Sequence, residues 1–164
     1  MYSIHPFPQT HREWLAEFLT DHWGSRMIVS KGRLFDASLN PAFAAVRDAD
    51  MFGDAPVIGL VTYEIHGKAC EITSLDSLQE GIGIGSALID AVKNAARAAK
   101  CKKLWLITTN DNTHALRFYQ KRGFRLCAVH VNALEASRKL KPQIPLTGID
   151  GIPLRDEIEL EMDL

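Results

Sequence analysis

Three observations predict an α/β fold. Strand-like and helix-like patterns alternate through the middle of the chain, and a run of three closely spaced glycines joins one strand to one helix. The last eight residues alternate strictly between acidic and apolar. The 164 residues are expected to form a single domain, 1–164, long enough to bury a real core. Apolar residues at 46% and charged residues at 24% match an ordinary globular protein, and a net charge of -1 gives no electrostatic reason to expect nucleic acid or an anionic membrane as partner. No segment reaches the apolar length of a membrane span, and the N-terminus lacks a basic start followed by an apolar core. Cys70, Cys101 and Cys127 are odd in number and widely spaced, which predicts reduced core cysteines in a cytoplasmic protein.

The elements follow in order. Residues 2–7 alternate as a first strand, ended by Pro6 and Pro8. Thr10 to Thr20 is predicted as a helix with Trp14, Leu15, Phe18 and Leu19 inward, and His22, Trp23 and Arg26 form a polar-aromatic corner after it. Gly32 divides residues 27–36 into two short extended pieces, a hairpin pattern. Phe43–Arg47 and Pro56–His66 read as the next strands, joined through Met51–Ala55. Gly67-Lys68 then turns into a strand over Ala69–Leu78.

Next comes Gln79-Glu80-Gly81-Ile82-Gly83-Ile84-Gly85-Ser86, and directly after it an amphipathic run. Leu88, Ile89, Val92, Ala95, Ala96 and Ala99 share one face, with Asp90, Lys93, Arg97 and Lys100 opposite. A strand, a glycine loop and a helix in that order aim unpaired backbone N–H groups at one point, where the helix dipole also favours an anion. Glycine lets a phosphate approach the main chain closely. The ordinary alternative is a tight strand-to-helix turn. The spacing lacks the Lys and Ser/Thr of a triphosphate loop, and it fails the dinucleotide pattern.

A second block follows. Leu104–Thr109 has a buried-strand pattern, Asn110-Asp111-Asn112 supplies helix-capping residues, and Ala115, Phe118, Tyr119 and Arg122 share a helical face before Gly123. Phe124 to Val131 reads as a strand and Asn132 to Leu140 as a short helix carrying Leu134 and Leu140. Residues 141–155, punctuated by Pro142, Pro145, Gly148, Gly151 and Pro153, read as an ordered loop that either covers a site or simply joins two strands. Glu157–Leu164 is the final strand, its acids expected on a solvated face, with contact between one of them and an amine substrate as the alternative.

The glycine loop, in the register Glu80-Gly81-Ile82-Gly83-Ile84-Gly85, resembles the coenzyme A loop of the GNAT N-acetyltransferases, with Glu80 where Gln or Arg is usual. Asn112-x-x-Ala115-x-x-Phe118-Tyr119-x-x-x-Gly123-Phe124 is similar to the second block of that family. Together the two blocks span residues 69–125, about a third of the chain. The resemblance implies a mixed, mostly antiparallel central sheet of six or seven strands, splayed in the middle, with helices on both faces. It implies acetyl-CoA as co-substrate, with no metal, and homodimers are common in the family. The pyrophosphate would sit on Gly81, Ile82, Gly83, Ile84, Gly85 and Ser86. The pantetheine would run beside Leu75, Asp76 and Ser77, with Asn110, Asn112 and Phe118 nearby. The early helical region would border the acceptor pocket.

The implied reaction is acetyl transfer from acetyl-CoA to a primary amine, on a small molecule or a peptide, by direct attack through a tetrahedral intermediate. It needs a neutral amine, donors for the developing oxyanion and a proton for the thiolate. Splayed strands leave main-chain N–H groups free near Leu75 to Ser77 for the oxyanion. Glu71 is the candidate base, against an ordinary strand carboxylate, with Asp76 as the alternative. Tyr119 is the candidate acid, against simple core packing. The six histidines show no metal-ligand spacing. A noncatalytic acyl-CoA sensor and an adenine-nucleotide-binding regulatory domain are the competing readings; Asn112 and Tyr119 favour the enzyme.

Overall fold

The computed structural model describes residues 1–48 and 56–164, so the predicted connection Met51–Ala55 lies outside the described residues. In chain order the elements are β1 (Tyr2–Pro6), α1 (Arg12–Trp23), β2 (Met27–Ser30), β3 (Arg33–Asp36), β4 (Ala42–Arg47), β5 (Val57–His66) and β6 (Ala69–Ser77). They continue with α2 (Ile84–Ala98), β7 (Lys103–Thr109), α3 (Thr113–Gln120), β8 (Arg125–His130), α4 (Ala133–Leu140) and β9 (Glu157–Asp163). Seven strands form one sheet in the order β1-β4-β5-β6-β7-β9-β8, and β2 and β3 pair as a separate hairpin. The fold is therefore the predicted mixed α/β sheet with seven strands.

The central pair decides the shape. All neighbours in the seven-stranded sheet run antiparallel except β6 and β7. That parallel pairing covers only Ala69–Ile72 against Lys103–Leu106. Beyond it, β6 stays with β5 and β7 stays with β9, so the two halves diverge. A bulge marks the same level: Tyr63 pairs with Ile72 and Thr62 with Ser74, leaving Thr73 as the extra residue. An extra residue bends its strand and raises its twist, turning β6 away from β7. The Thr73 hydroxyl meets Thr62 Oγ1 at 2.7 Å and accepts from Asn40 Nδ2 at 3.0 Å, so the distortion is held by buried hydrogen bonds.

Each face of the sheet has its own core. Ile84, Leu88, Ile89, Val92 and Ala96 of α2 pack with Tyr119 and Phe124 over Val61, Cys70, Ile72, Leu104, Leu106 and Leu160. On the other face Leu15, Phe18 and Leu19 of α1 pack with Ile28 over Ala42, Ala44 and Leu60. The extra residue at Thr73 also changes which side chains face which helix. Leu75 packs with Cys70 and Ile72 on the α2 side, which leaves Asp76 on the same side as Glu71.

Several sequence expectations need correction. α1 begins at Arg12 and runs to Trp23, ending where Gly24 takes φ 74 and its N–H caps the Thr20 carbonyl, so His22 and Trp23 belong to its last turn. Trp14 is 39% exposed and rests against Phe7 and Phe18 at the rim of the core. Ala99 is exposed, outside α2. Cys127 is exposed on β8; only Cys70 and Cys101 are core residues, and burial pushes the Cys70 thiol up to about 12. Asp163 at the end of β9 is exposed as predicted, but Glu157 and Glu159 are not on a wet face, at 2% and 6% exposed. The β2–β3 hairpin and α4 cover them, through Lys31 and Ser137. Among the described residues no helix is long and apolar enough to cross a membrane.

The approach of α2 to β5 rests on one glycine. A Cβ at Gly59 would lie 2.4 Å from Ile84 Cγ2 and 3.1 Å from the Asp76 carbonyl oxygen. Gly59→Ala is expected to destabilise the protein by about 1–3 kcal/mol through overpacking, measured as a lowered denaturant midpoint. An unchanged midpoint would show that α2 can retreat freely.

Candidate active site

On the α2 side the divergence opens into a cleft of about 550 Å³. Gly81 and Gly83 take φ of 80 and 86, left-handed values that carry the chain from β6 into the helix. The first intrahelical bond of α2 is from Ala87 N–H to the Gly83 carbonyl, and no side chain caps this end. The N–H groups of Ile84, Gly85 and Ser86 therefore have no helical partner. Gly85 has a second reason to be glycine, because a Cβ there would lie 2.7 Å from Phe118 Cζ. Its absence lets the Phe118 ring of α3 lie against the first turn of α2.

α3 forms the facing wall. Asn112 caps it by accepting from Ala115 N–H at 3.0 Å, as the sequence predicts. One face of α3 and its C-terminal extension then presents Ala115, Phe118, Tyr119 and Arg122 to the cleft. Arg122 lies 3.5 Å over the Phe118 ring and donates to Ser86 Oγ at 2.9 Å and to the Phe118 carbonyl at 2.8 Å. It brings a positive charge beside the glycine loop. The sequence placed Arg122 on this helical face without giving it a role; its spacing of four from Phe118 was the available signal.

The structure brings together Leu75, Asp76, Ser77, Gly81, Gly83, Ile84, Gly85, Asn112, Phe118 and Tyr119 around this one cleft. The Ile84 side chain is in the core, so only its backbone serves the cleft. Three of the residues predicted to bind the cofactor stand apart. Ile82 is half exposed and its carbonyl accepts from the Tyr2 hydroxyl. Ser86 Oγ is engaged by Arg122. Asn110 turns away: its amide donates to the Pro153 carbonyl and accepts from the N–H groups of Arg155 and Asp156.

Strand alternation aims the free donors of β6. Leu78 N–H bonds to the Ile58 carbonyl, and the register pairs Leu60 with Asp76 and Val61 with Leu75. Asp76 therefore directs its backbone groups at β5, whereas Leu75 and Ser77 direct theirs into the divergence. Across from them Tyr119 is 8% exposed among Phe118 and Phe124. Burial raises its phenol far above the ordinary value, the Asp76 charge adds to this, and Arg122 opposes it. Asp76 is itself raised by burial, against the Trp23 indole N–H that donates to it at 2.8 Å and against His22.

Behind the divergence, on the α1 side, lies a second cavity of about 220 Å³. Glu71 faces it, 2% exposed, accepting from Ser30 Oγ at 2.5 Å with Arg33 Nη2 at 3.5 Å. Burial raises its carboxyl above the ordinary range, and Ser30 and Arg33 only partly offset this. Glu157 faces the same cavity, its carboxyl also raised by burial, against the Lys31 backbone N–H and Ser137 Oγ. Sequence reading did not single out Ser30 or Ser137, and met Glu157 only as one of the β9 acids, because contacts across 41, 126 and 20 residues leave no local pattern. Asn112 lines both cavities, and the Trp23–Asp76 hydrogen bond joins a residue of one to a residue of the other.

The segment between α4 and β9 closes the far side of this second cavity with Ile144 and Leu154. Arg138 of α4 donates to the Ile144, Pro145 and Leu154 carbonyls, gathering both limbs of the segment. Asp111 accepts from Ile149 N–H at 2.8 Å and ties its tip to the end of β7. Of the two sequence readings of residues 141–155, covering a cavity is the one the contacts match.

Two cavities thus meet in a splayed sheet, one with an open helix N-terminus and one with buried carboxylates. The model of the acetyltransferase (GNAT) family matches residues 8–124, and the chain belongs to that family. It is 42% identical to the Bacillus subtilis protein YxbD, over 99% of each chain. Its fold is similar to an IAA acetyltransferase from Bacillus cereus, with TM-score 0.74, 23% identity and full coverage of both chains. It is also similar to a GNAT acetyltransferase from Elizabethkingia anophelis with acetyl-CoA bound, with TM-score 0.68 and 22% identity over 99% of this chain and 98% of that one.

The raised carboxyl of Glu157 has a consequence for stability. A folded state that holds a proton more tightly than the unfolded chain is favoured at low pH, and loses that advantage as pH rises through the folded-state value. Glu157→Gln removes the loss. Its denaturant midpoint is expected to exceed wild type at neutral pH and to converge on it near pH ~4, the ordinary carboxylate range. Parallel pH profiles would show that burial of this charge has no energetic consequence.

Proposed function

We propose that this enzyme transfers the acetyl group of acetyl-CoA to a primary amine. One observation carries the reading: the donor-lined cleft and the carboxylate-lined cavity meet at the divergence of β6 and β7, where Asn112 borders both. The free N–H groups of Ile84 and Gly85, with Arg122, suit a pyrophosphate. From there an extended pantetheine follows Ser77 to Leu75 and brings the thioester to the divergence. The acetyl-CoA bound in the Elizabethkingia relative supports this choice of donor.

In the reaction the amine nitrogen bonds to the thioester carbon and the carbon–sulfur bond breaks. The main-chain N–H of Leu75 or Ser77 faces the developing oxyanion. Glu71 takes the amine proton, directly or through water; its raised carboxyl suits a base for an ammonium better than an ordinary exposed acid does. Asp76 is the less suitable base because one oxygen already accepts from Trp23. Tyr119 gives the proton to the departing sulfur, and its raised phenol keeps that proton available at neutral pH.

Tyr119→Phe retains the ring packing and removes the hydroxyl alone. Turnover is expected to fall about 10²-fold, with calorimetric affinity for acetyl-CoA close to wild type. Full turnover would assign the proton to water.

Glu71→Gln is expected to slow transfer by about 10²-fold near neutral pH, with the deficit shrinking at alkaline pH where free amine is abundant. A pH–rate profile parallel to wild type would remove Glu71 from the proton path. Failure of the wild-type protein to bind acetyl-CoA would overturn the whole assignment.

A further inference from the structure

Of the two buried acids in the second cavity, Glu157 has no evident use in the chemistry. Its Oε2 accepts from the Lys31 backbone N–H at 3.2 Å and its Oε1 from Ser137 Oγ at 3.4 Å, both neutral donors at long range. Among the described residues it forms no ion pair within 4.0 Å. The cations nearby are committed to its neighbour: Lys31 Nζ lies 3.1 Å and His130 Nε2 2.9 Å from Glu159. A carboxylate 2% exposed, with His130 and Lys31 acting on it only from beyond ion-pair distance, is a costly arrangement unless something else supplies a closer charge.

The cavity shows what can supply it. Ser30 holds Glu71 and the adjacent Lys31 holds Glu157, so one hairpin tip sets two carboxylates around one space. Arg33, the one cation within 4.0 Å of Glu71 among the described residues, lies closer to Glu64 at 2.5 Å than to Glu71 at 3.5 Å. Lys141 also lines the cavity, but its ammonium donates to the Met27 carbonyl at 2.8 Å, so it is poorly placed to meet a substrate carboxylate. The cavity walls also include Ile28, Leu134, Ile144 and Leu154, a surface for methylene groups. At about 220 Å³ the space is below the roughly 300–1,000 Å³ usual for drug-sized ligands.

We propose that Glu157 binds a second ammonium group of the acceptor, and that the enzyme acetylates small aliphatic diamines. This deepens the acetyltransferase reading and rests on it. One nitrogen loses its proton toward Glu71 and attacks the thioester; the other stays charged and pairs with Glu157. The new amide forms at the first nitrogen only, and coenzyme A leaves as the thiol. Glu157 is thus a specificity residue that touches the acceptor away from the reacting atoms.

The test compares 1,4-diaminobutane, butylamine and 4-aminobutanoate as acceptors in acetyl-CoA-dependent thiol release, for wild type and Glu157→Gln. Wild type is expected to favour the diamine over butylamine by about tenfold or more in kcat/KM. Glu157→Gln should lose about 30-fold on the diamine, chiefly in KM, and at least tenfold less on butylamine. A purely structural role for Glu157 would move both amines together and would overturn the proposal. So would a wild-type preference for 4-aminobutanoate, which would assign Lys141 to a carboxylate, or turnover of none of the three. Calorimetry with acetyl-CoA separates the two levels. Without coenzyme binding the acetyltransferase reading itself fails; with binding but no diamine preference, only the role of Glu157 does.

Discussion

The pairing of β6 with β7 stops at Ile72 and Leu106, and both cavities of the sheet depend on that stop. A continuous ladder would bind the main-chain groups of Leu75 and Ser77 to the next strand and close the sheet. The extra residue at Thr73 prevents this by bending β6 toward β5, and the Thr62, Thr73, Ser74 and Asn40 side chains stabilise the bend inside the sheet. These buried polar groups satisfy one another, which removes the desolvation penalty that would otherwise argue for a regular strand. The same extra residue sets Glu71 and Asp76 on one face although five positions separate them. A sheet defect thereby creates the opening, the free donors and the alignment of the acids together.

The two cavities on either side of the opening use different electrostatics. The α2 side is built from backbone: an uncapped helix start, two left-handed glycines and one guanidinium stacked on Phe118. Such donors need no titration and favour an anion at any physiological pH. The α1 side is built from carboxylates whose burial disfavours their charged forms. Glu159 shows the contrast: burial would raise its carboxyl, yet hydrogen bonds from His130 and Lys31 hold it below the ordinary range. Two acids two residues apart on β9 thus differ because one has cations and the other faces a cavity.

Much of this was legible in the chain. Helical periodicity located α2 and the cleft-facing side of α3, the capping role of Asn112 followed from its position before Thr113, and the Lys31-Gly32 turn of the hairpin was marked by Gly32. Local physics governs such features, since residues within about one turn of each other interact whatever surrounds them. Errors arose where distant segments intervene. Asn110 has the chemistry of a ligand-binding amide, but residues 153–156 reach it first. The acids of β9 alternate as a solvated face would, yet Lys31 and Ser137 cover Glu157 and Glu159.

By itself the sequence determined the elements, the glycine loop and the face that Tyr119 shares with Phe118 and Arg122, because each depends on spacing along the backbone. Only the tertiary structure decided where β6 and β7 part, that Asn112 borders both cavities, and that Ser30 and Lys31 hold two carboxylates around one space. Those arrangements join residues up to 126 positions apart. Their energetics come from burial, which no residue carries in its own neighbourhood: Glu157 becomes an unpaired buried acid only when the hairpin, α4 and the segment after it close around β9.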